Sequence, residues 1–297
     1  MMLKCDSPLY LMIKKLPCFN HSVVIERIEA GQSSDCFKVT TSNEQNKVKK
    51  YFVKYEVNAD FFENELKVSK EAALINLSPN VIYSDNNWLV NEFIEGITLD
   101  HCLLAKKEKI KIALNLINKC DLLTASVPIL DVNAIINNIM STDVFTVKQY
   151  KYVQNILNKL PLIEITERVV CHGDVNFSNV IVDKDNAWLI DFECSCLAEK
   201  EFELAMFFAI NLLNVNEQFY ALNVYEAINK KVKIDTDKVS RYLLCSTLIN
   251  GLWYLEKAKG ELFSELKTNL FYTLAFEQLS LFDRLYKSDV ALSTIMR

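Results

Sequence analysis

Short runs of alternating apolar and polar residues dominate the first third of the chain, and β-branched and aromatic residues concentrate in them. This pattern favours strands. The predicted strands cover residues 23–28, 36–40, 49–55, 81–83 and 88–93. Residues 58–77 carry apolar side chains three and four positions apart, which predicts a helix that ends before Pro79. We therefore predict a five-stranded antiparallel sheet with one helix, forming a first domain over residues 1–96.

Helical spacing of the apolar residues takes over in the rest of the chain. The predicted helices cover residues 100–123, 144–160, 199–213, 216–228, 239–259 and 261–286. Residues 167–193 interrupt this pattern, because they predict a strand, a loop and a hairpin. We therefore predict a second, mostly helical domain over residues 97–297, which places the chain in the α+β class.

The interruption contains the most informative motif of the chain, CHGDVNFSNVIVDKDNAWLIDFE at residues 171–193. Asn179 follows Asp174 by five positions, and Asp191 lies further on in an apolar run with Glu193 just beyond it. The polar residues between the two predicted strands indicate a tight turn, which would bring Asn179 and Asp191 close together across the hairpin. Such an Asp and Asn also occur in ordinary solvated loops, but the flanking HGD and IDFE sequences favour a catalytic site.

This combination of residues is typical of a phosphoryl-transfer site. A carboxylate such as Asp174 can orient or deprotonate the hydroxyl that attacks a phosphate, which makes it the candidate catalytic residue. Amide and carboxylate oxygens are the hard ligands that Mg²⁺ requires, so Asn179 and Asp191 are the candidate metal ligands, with Glu193 in a supporting role. His172 is better suited to ordering the loop by hydrogen bonding, because Asp174 already fills the role of base.

Composition narrows the possible functions. Only 5 glycines occur among the 297 residues, and neither GxxxxGK[ST] nor GxGxxG is present, which excludes the P-loop and Rossmann nucleotide sites. The formal net charge is −5 with acids and bases interspersed, so the basic surface of a nucleic-acid-binding protein is absent and a small cationic partner is easier to accommodate.

The cysteines and the apolar runs indicate a compartment. The 9 cysteines are odd in number and include no CxxC pair, so we expect reduced thiols, mostly in the core of a cytoplasmic protein. The N-terminus lacks the pattern of a secretory signal peptide, and no run approaches the roughly eighteen apolar residues of a membrane span. We therefore expect neither feature, and the sequence makes no prediction of oligomeric state.

A β-rich lobe, a short connector and a helical lobe that holds HGDxxxxN and IDFE together resemble the protein-kinase-like fold. More narrowly, the chain resembles the choline/ethanolamine kinase family within the aminoglycoside phosphotransferase superfamily, in which HGD replaces the protein-kinase HRD and ID[FW]E replaces DFG. The resemblance extends over residues 25–285. It implies ATP and Mg²⁺ as cofactors, a nucleotide-binding lobe over residues 1–96, and a catalytic and substrate-binding lobe over residues 97–297.

The resemblance assigns a phosphate-binding lysine in the first lobe. Lys54 ends the apolar strand YFVK and matches the lysine that contacts the α- and β-phosphates, although a solvent-facing strand lysine would have a similar sequence. Its partner should be an acid of the following helix. Glu65 fits the family spacing best, while Glu63 and Glu71 remain alternatives.

Two further segments complete the implied nucleotide site. The turn GQSSD resembles the phosphate-covering loop, which makes Gly31, Ser33 and Ser34 candidate phosphate donors, although a plain hairpin turn would look similar. The connector NEFIEG resembles the segment whose backbone pairs with adenine. We expect those contacts to come from the segment between Glu92 and Ile94, including both residues.

The acceptor is indicated by NGLWYLEKAK near the C-terminus, which resembles the GLWxxxxAK segment of choline and ethanolamine kinases. Trp253 and Tyr254 are candidate substrate-binding residues, because aromatic faces hold a quaternary ammonium by cation–π contacts. Trp253 would equally suit a core position on an apolar helix face. Glu203, an acid that follows IDFE, could order the metal loop, attract a cationic substrate, or lie solvated on its helix.

Two positions depart from the family pattern and leave the acceptor open. Asn250 stands where the family usually has a tryptophan, and Cys194 where it usually has a tyrosine. The predicted function is an ATP- and Mg-dependent kinase of a small-molecule alcohol, with choline or ethanolamine as the favoured acceptor. Kinases of thiamine or of an aminoglycoside on the same fold, and a non-catalytic, pseudokinase-like binding protein, are the alternatives.

Overall fold

The structure, a computed structural model, describes residues 8–19, 22–28, 34–42, 47–160, 163, 165–230, 232–260, 265–286 and 295–296. Its strands are β1 (Ser22–Ile28), β2 (Asp35–Ser42), β3 (Val48–Tyr55), β4 (Val81–Asp85), β5 (Trp88–Glu92), β6 (Ile97–Thr98), β7 (Val169–Cys171), β8 (Val180–Val182), β9 (Ala187–Leu189) and β10 (Cys196–Ala198). Its helices are α1 (Pro8–Ile13), α2 (Ala59–Leu74), α3 (Lys106–Cys120), α4 (Val132–Met140), α5 (Val147–Leu157), α6 (Lys200–Ile210), α7 (Val215–Ile228), α8 (Thr236–Gly260) and α9 (Glu265–Tyr286). The longer strands come first and the helices follow, which confirms the α+β class.

The chain divides into two compact units, each assembled from separate stretches of sequence. The first unit comprises Met1–Leu103, Leu122–Val127 and Ser178–Ser195, and the second comprises Leu104–Asp121, Pro128–Phe177 and Cys196–Arg297. The segment that carries Asn179, Asp191 and Glu193 therefore belongs to the first unit, whereas Asp174 belongs to the second.

The first unit is built around the predicted five-stranded sheet, whose order is β1-β2-β3-β5-β4 with every neighbouring pair antiparallel. Alternation along β2 buries Phe37 and Val39, which belong to one core with Val53 of β3 and Val90 of β5. This core fixes β3, the strand that carries Lys54.

Helix α2 lies between β3 and β4, as the apolar spacing predicts. It begins after Asn58, whose side chain accepts two backbone N–H groups of the first turn. It ends three residues earlier than predicted, because Asn76 adopts a left-handed conformation with φ of 54° and the N–H of Leu77 turns back to the carbonyl of Ala72 at 2.9 Å. This arrangement is a Schellman motif, in which asparagine replaces the usual glycine.

A small sheet in the order β6-β8-β9 completes the first unit. Strands β8 and β9 form the predicted hairpin, with Val180 opposite Leu189. Gly96 precedes β6 at a point where a Cβ atom would lie only 2.6 Å from the carbonyl oxygen of Val182. The connector therefore needs glycine in order to approach β8.

The second unit is helical, and its core lies between α4, α5, α8 and α9. Gly251 of α8 lets the two longest helices approach closely, since a Cβ atom there would lie 2.7 Å from the side chain of Leu279 on α9. In the same unit β7 pairs antiparallel with β10, with Cys171 opposite Cys196. This pairing anchors the loop that follows β7.

The helices differ from the prediction at two places. Helix α3 begins at Lys106 rather than at residue 100, because residues 97–98 pair with β8 and the N–H of Leu99 donates to the carbonyl of Val180. Helix α4 was not predicted. Its asparagine-rich sequence has weak helix propensity, but Asp131 caps it and Ile136 packs into the core of the second unit.

The cysteines in the described part of the chain are free thiols, and Cys36, Cys120, Cys171, Cys196 and Cys245 are buried. Within the same residues, we find no helix with the length and apolar character that crossing a membrane would require.

Candidate active site

The ammonium group of Lys54 lies at the centre of the candidate nucleotide site in the first unit. Its Nζ atom is 2.7 Å from an oxygen of each of Glu65, Asp191 and Glu193. The three carboxylates come from α2 and from the segment after β9, and the Lys54 side chain is only 5% exposed. An ammonium has three N–H donors, so each of them has an ionic partner.

The charges of this cluster are strongly coupled. Burial lowers the pKa of Lys54, but the three carboxylates outweigh burial and raise that pKa well above its ordinary value. Burial also raises the pKa of Glu65, and the ammonium of Lys54 opposes that shift. Lys54 is therefore firmly charged at neutral pH, and its charge favours the ionised form of Glu65.

The same carboxylates fit a divalent metal. One oxygen from each of Glu65, Asp191 and Glu193 lies within 4.8 Å of the others. These are hard oxygen donors of the kind that Mg²⁺ prefers. When all three are ionised, the single positive charge of Lys54 leaves an excess of two negative charges, which a divalent cation would balance.

The two alternative partners of Lys54 on α2 have other contacts. Glu63 is exposed and forms an ion pair with Lys67 at 3.1 Å. Glu71 accepts the N–H and the hydroxyl of Thr124, both at 2.7 Å. Of the three acids considered from the sequence, Glu65 is the one that contacts Lys54.

Asp191 occupies a special backbone position beyond the end of β9. It adopts a left-handed conformation with φ of 69° and ψ of 63°, which is uncommon for residues other than glycine. The N–H of Ile190 donates to the carbonyl of Asn179 at 3.0 Å, so Asn179 and Asp191 lie at the same end of the hairpin. Turns of 3-10 helix over residues 177–179 and 192–194 lie just outside the hairpin strands β8 and β9.

Sequence reasoning missed Asn64, which precedes Glu65 on α2. Its side-chain amide donates to the carbonyls of Glu193 at 3.0 Å and Ser195 at 2.8 Å. Asn64 is buried, and a polar residue on the buried face of a predicted helix was the available signal. Of two adjacent residues of α2, Asn64 thus contacts the backbone of this segment, and Glu65 contacts Lys54, which binds its carboxylates.

The remaining candidate nucleotide contacts lie in the sheet and its connector. Gly31 and Ser33 lie outside the described residues. The hydroxyl of Ser34 donates to Glu56 at 2.5 Å, and Glu56 is buried. In the connector, the N–H of Glu92 donates to Asn80 and the carbonyl of Ile94 accepts from Gly96.

The loop that carries Asp174 is ordered within the second unit. Gly173 adopts a left-handed φ of 77°, and its N–H donates to the carboxylate of Glu203 at 3.2 Å. The N–H of Asp174 donates to Nδ1 of His172 at 3.2 Å. Asn211, a second residue missed from the sequence, donates to the carbonyl of Val175 at 2.8 Å. These contacts hold the Asp174 carboxylate in a half-buried position.

Glu203 lies beneath this loop and is 2% exposed. Burial raises its pKa to about 7, while backbone N–H groups of Gly173 and His172 oppose the shift. Its Oε1 atom has no hydrogen-bond partner among the described residues. Glu203 is therefore not solvated on its helix, and it contacts the loop that carries Asp174 rather than the segment that carries Asp191.

An aromatic cluster in the second unit contains both predicted substrate residues. The ring centroids of Trp253 and Tyr254 lie 5.3 Å apart, and Phe271 of α9 lies 6.2 Å from each. Burial, with a smaller contribution from the charge of Asp174, raises the pKa of Tyr254 to about 12.

Two polar residues border the aromatic cluster. The side-chain amide of Asn250 donates to the sulfur of Met206 at 3.6 Å. The ammonium of Lys257 lies 5.6 Å from the centre of the Trp253 ring. One face of Trp253 therefore already interacts with a cation of the chain itself.

Comparisons with known proteins identify the fold and the family. No curated protein sequence is a significant match. Among solved structures, the choline kinase LicA from Streptococcus pneumoniae is 20% identical, with a TM-score of 0.72 over 92% of this chain and 100% of that one. An ethanolamine kinase from Plasmodium vivax is 18% identical, with a TM-score of 0.62 over 90% and 84%.

A microcompartment-associated aminopropanol kinase is 12% identical to this chain, with a TM-score of 0.66 over 97% of it and 99% of that one. At these identities the similarities establish the fold, which is the kinase-like fold that the motifs indicate. The sequence model described as choline/ethanolamine kinase matches residues 25–244, about three quarters of the chain. The chain therefore belongs to the choline/ethanolamine kinase family and is a small-molecule kinase.

Proposed function

We propose that the protein transfers the γ-phosphoryl group of ATP, in the presence of Mg²⁺, to the hydroxyl of a small amino alcohol, choline or ethanolamine. The observation that carries the proposal is the contact of the buried Lys54 ammonium with Glu65, Asp191 and Glu193 in a member of this family. Phosphoryl transfer depends on positioning and charge neutralisation more than on covalent chemistry, and this cluster supplies both. The free thiols support our expectation that the reaction takes place in the cytoplasm.

The first unit would hold the nucleotide. Lys54 would bind the phosphates, with Glu65 keeping its ammonium in place, and Asn179, Asp191 and Glu193 would hold the metal. Bound Mg²⁺ neutralises negative charge on the phosphates.

The backbone of the connector would bind the base. The N–H groups of Glu92 and Phe93 already donate to Asn80 and Lys50 within the sheet, so we assign the N–H of Ile94, with the carbonyl of Glu92, to the adenine edge. Gly31, Ser33 and Ser34 are assigned to the phosphates from the sequence pattern.

The second unit would supply the acceptor and the base. Asp174 orients the hydroxyl and takes up its proton, as a bond forms between the hydroxyl oxygen and the γ-phosphorus. The bond from that phosphorus to the bridging oxygen breaks, and ADP leaves with the electron pair. Trp253 and Tyr254 lie in the same unit as Asp174 and pack against buried Phe271, so we assign these two aromatic side chains to the acceptor.

The bordering residues favour ethanolamine over choline. Lys257 already lies over the face of Trp253, so a quaternary ammonium would have to compete with a resident cation there. A primary ammonium can also donate hydrogen bonds, for example to the amide oxygen of Asn250, whereas a quaternary ammonium cannot. Glu203 is buried beneath the Asp174 loop and would act by positioning it.

A coupled assay of ADP release tests this function, with choline, ethanolamine, thiamine and an aminoglycoside as acceptors. We expect kcat/KM for ethanolamine or choline to exceed that for the other two acceptors by at least about tenfold, the size of one lost polar or cation–π contact. Turnover with thiamine or the aminoglycoside alone would identify one of the alternative kinases. Failure to bind Mg-ATP in calorimetry would instead favour a non-catalytic binding protein.

The Asp174→Asn variant tests the base. We expect it to fold normally, because the hydrogen bond to His172 comes from the backbone N–H, and to lose about 10²–10⁴-fold in kcat. Asp185→Asn, in the exposed hairpin turn, is the matched control and should retain activity. Full activity of Asp174→Asn would exclude Asp174 as the base.

A further inference from the structure

The amide of Asn64 bridges two carbonyl groups in the segment that carries the candidate metal ligands. Nδ2 is 3.0 Å from the carbonyl oxygen of Glu193 and 2.8 Å from that of Ser195. Asn64 is 8% exposed and its Oδ1 atom has no partner among the described residues. The orientation of the amide is fixed, since a flipped group would place an acceptor against two acceptors.

The bridged segment has an unusual backbone that needs such support. The chain turns left-handed at Asp191, makes one turn of 3-10 helix, and becomes extended at Ser195. The N–H of Ser195 closes the turn by donating to the carbonyl of Phe192 at 3.1 Å. A residue other than glycine keeps a left-handed conformation only where its surroundings hold it. The two hydrogen bonds of Asn64 reach Glu193 and Ser195, which follow Asp191 closely in the chain.

Asn64 and Glu65 hold this segment from two sides. Glu65 contacts Lys54, and Lys54 contacts the carboxylates of Asp191 and Glu193. Asn64 contacts the backbone at Glu193 and beyond. Because both residues belong to one helix, the position of α2 and the direction of the two carboxylates are linked.

We propose that Asn64 is a positioning residue that fixes Asp191 and Glu193 in the arrangement that binds the metal. The inference rests on the proposed function in that it takes these two carboxylates as metal ligands. Groups that orient metal ligands typically change metal affinity or activity by about 10–100-fold when they are replaced. Asparagine suits the role because it offers two N–H donors on one short planar group, whereas aspartate, of equal size, offers none.

The test measures binding of Mn²⁺ by electron paramagnetic resonance in the presence of ADP, for the full chain and for Asn64→Asp and Asn64→Ala. Glu71→Ala is the matched control, because it also removes two hydrogen bonds from α2, those to Thr124. Urea unfolding of each variant verifies that it is folded under the conditions of the titration. The two Asn64 substitutions differ in charge. If one of them prevents folding, the other still allows the measurement.

We expect both Asn64 variants to bind Mn²⁺ about 10–100-fold more weakly and Glu71→Ala to bind it within about twofold of the unchanged protein. Unchanged Mn²⁺ affinity in a folded Asn64 variant would overturn the proposal. An equal loss in Glu71→Ala would also overturn it, since the effect would then reflect stability alone. If the unchanged protein itself bound no Mn²⁺ with ADP, the metal assignment of the proposed function would fail together with this inference. The first two results leave that assignment intact.

Discussion

Lys54 illustrates at the scale of one residue why this cluster indicates function. Burying an ammonium and a carboxylate removes both from water, and well-packed apolar residues of similar volume are often equally stable or more so. Lys54 and Glu65 are each about 5% exposed at the side chain, so this cost applies to them. Such a pair, placed where a strand, a helix and a loop meet, therefore indicates a role in binding rather than in stability.

Single and double substitution of this buried pair should have opposite effects on stability. Lys54→Met should destabilise the protein by about 3–5 kcal/mol, because it leaves the buried carboxylate of Glu65 without its partner. Adding Glu65→Leu should restore most of the lost unfolding free energy. Nucleotide binding should be abolished in both variants, because both lack Lys54. Urea unfolding and calorimetry with ADP measure the two effects. A double variant less stable than Lys54→Met would contradict the interpretation.

Glu203 predicts a dependence of stability on pH. Its pKa is raised from 4.5 to about 7 in the folded protein. Between these values the folded protein holds a proton that the unfolded chain has lost, so the stabilisation is complete below about pH 4.5 and is lost as the pH rises through 7. The expected loss of unfolding free energy from this group is about 3 kcal/mol.

Glu203→Gln isolates this contribution. Glutamine stays neutral and can still accept the N–H of Gly173. Between pH 4.5 and pH 8, the unfolding free energy of the variant should therefore fall by about 3 kcal/mol less than that of the unchanged protein. Urea unfolding across that range measures the difference. Glu201→Gln on the same helix is the control and should follow the unchanged protein. Parallel pH profiles for Glu203→Gln and the unchanged protein would show that Glu203 is ionised in the fold.

At the scale of elements, α8 and α9 pack at a distance that Gly251 allows. A Cβ atom there would meet Leu279 at 2.7 Å, and Leu279 is fully buried. Gly251→Ala should therefore cost about 1–3 kcal/mol in unfolding free energy, although alanine has the higher helix propensity.

Gly260→Ala is the control for this prediction. Its Cβ atom would meet Val144 at 3.0 Å, at the end of a side chain near the end of the helix. We expect a smaller effect, which thermal unfolding followed by circular dichroism would measure. If Gly251→Ala were as stable as the unchanged protein, Leu279 would have room to move and the close approach would not depend on glycine.

The sequence predicts elements well where periodicity runs over several turns or strand residues. The five-stranded sheet and the long helices α8 and α9 have such patterns. Strand β6 has two residues and β10 has three, which is too short for any period to emerge. The start of α3 and the existence of α4 depend on tertiary contacts, of Leu99 with Val180 and of Ile136 with its core, and these outweigh local propensity.

In the site too, the sequence predicts contacts between neighbouring segments but not contacts between residues far apart in the chain. The hairpin places Asn179 near Asp191 through a turn of four residues, so the sequence alone predicts it. The contact of Lys54 with Asp191 joins residues 137 positions apart, and no periodicity indicates it. Lys54 was assigned through the resemblance to the family and Asp191 from its own motif, and their contact was not predicted. Asn64 and Asn211 act through backbone carbonyls, which leave no trace in the sequence of the segments that they hold.

At the scale of the whole molecule, the order of segments along the chain does not match their division into two compact units. The segment Ser178–Ser195 comes late in the sequence but belongs to the same unit as β3 and α2. The proposed nucleotide and metal residues therefore lie in the first unit, and the proposed acceptor residues in the second. Ligands of the two kinds should then protect different parts of the chain from hydrogen exchange.

We expect ADP with Mg²⁺ to slow deuterium uptake in residues 48–55, 59–74 and 178–195, because binding suppresses local opening of the segments that it orders. Ethanolamine or choline should instead slow exchange in residues 171–177 and 250–258, which include Asp174 and Trp253. Mass spectrometry of peptides from the full chain measures both patterns. Asp191→Ala is the control, since it should remove the part of the ADP effect that depends on Mg²⁺. Protection of residues 250–258 by ADP with Mg²⁺ alone would contradict this division of roles, because those residues would then respond to the nucleotide rather than to the acceptor.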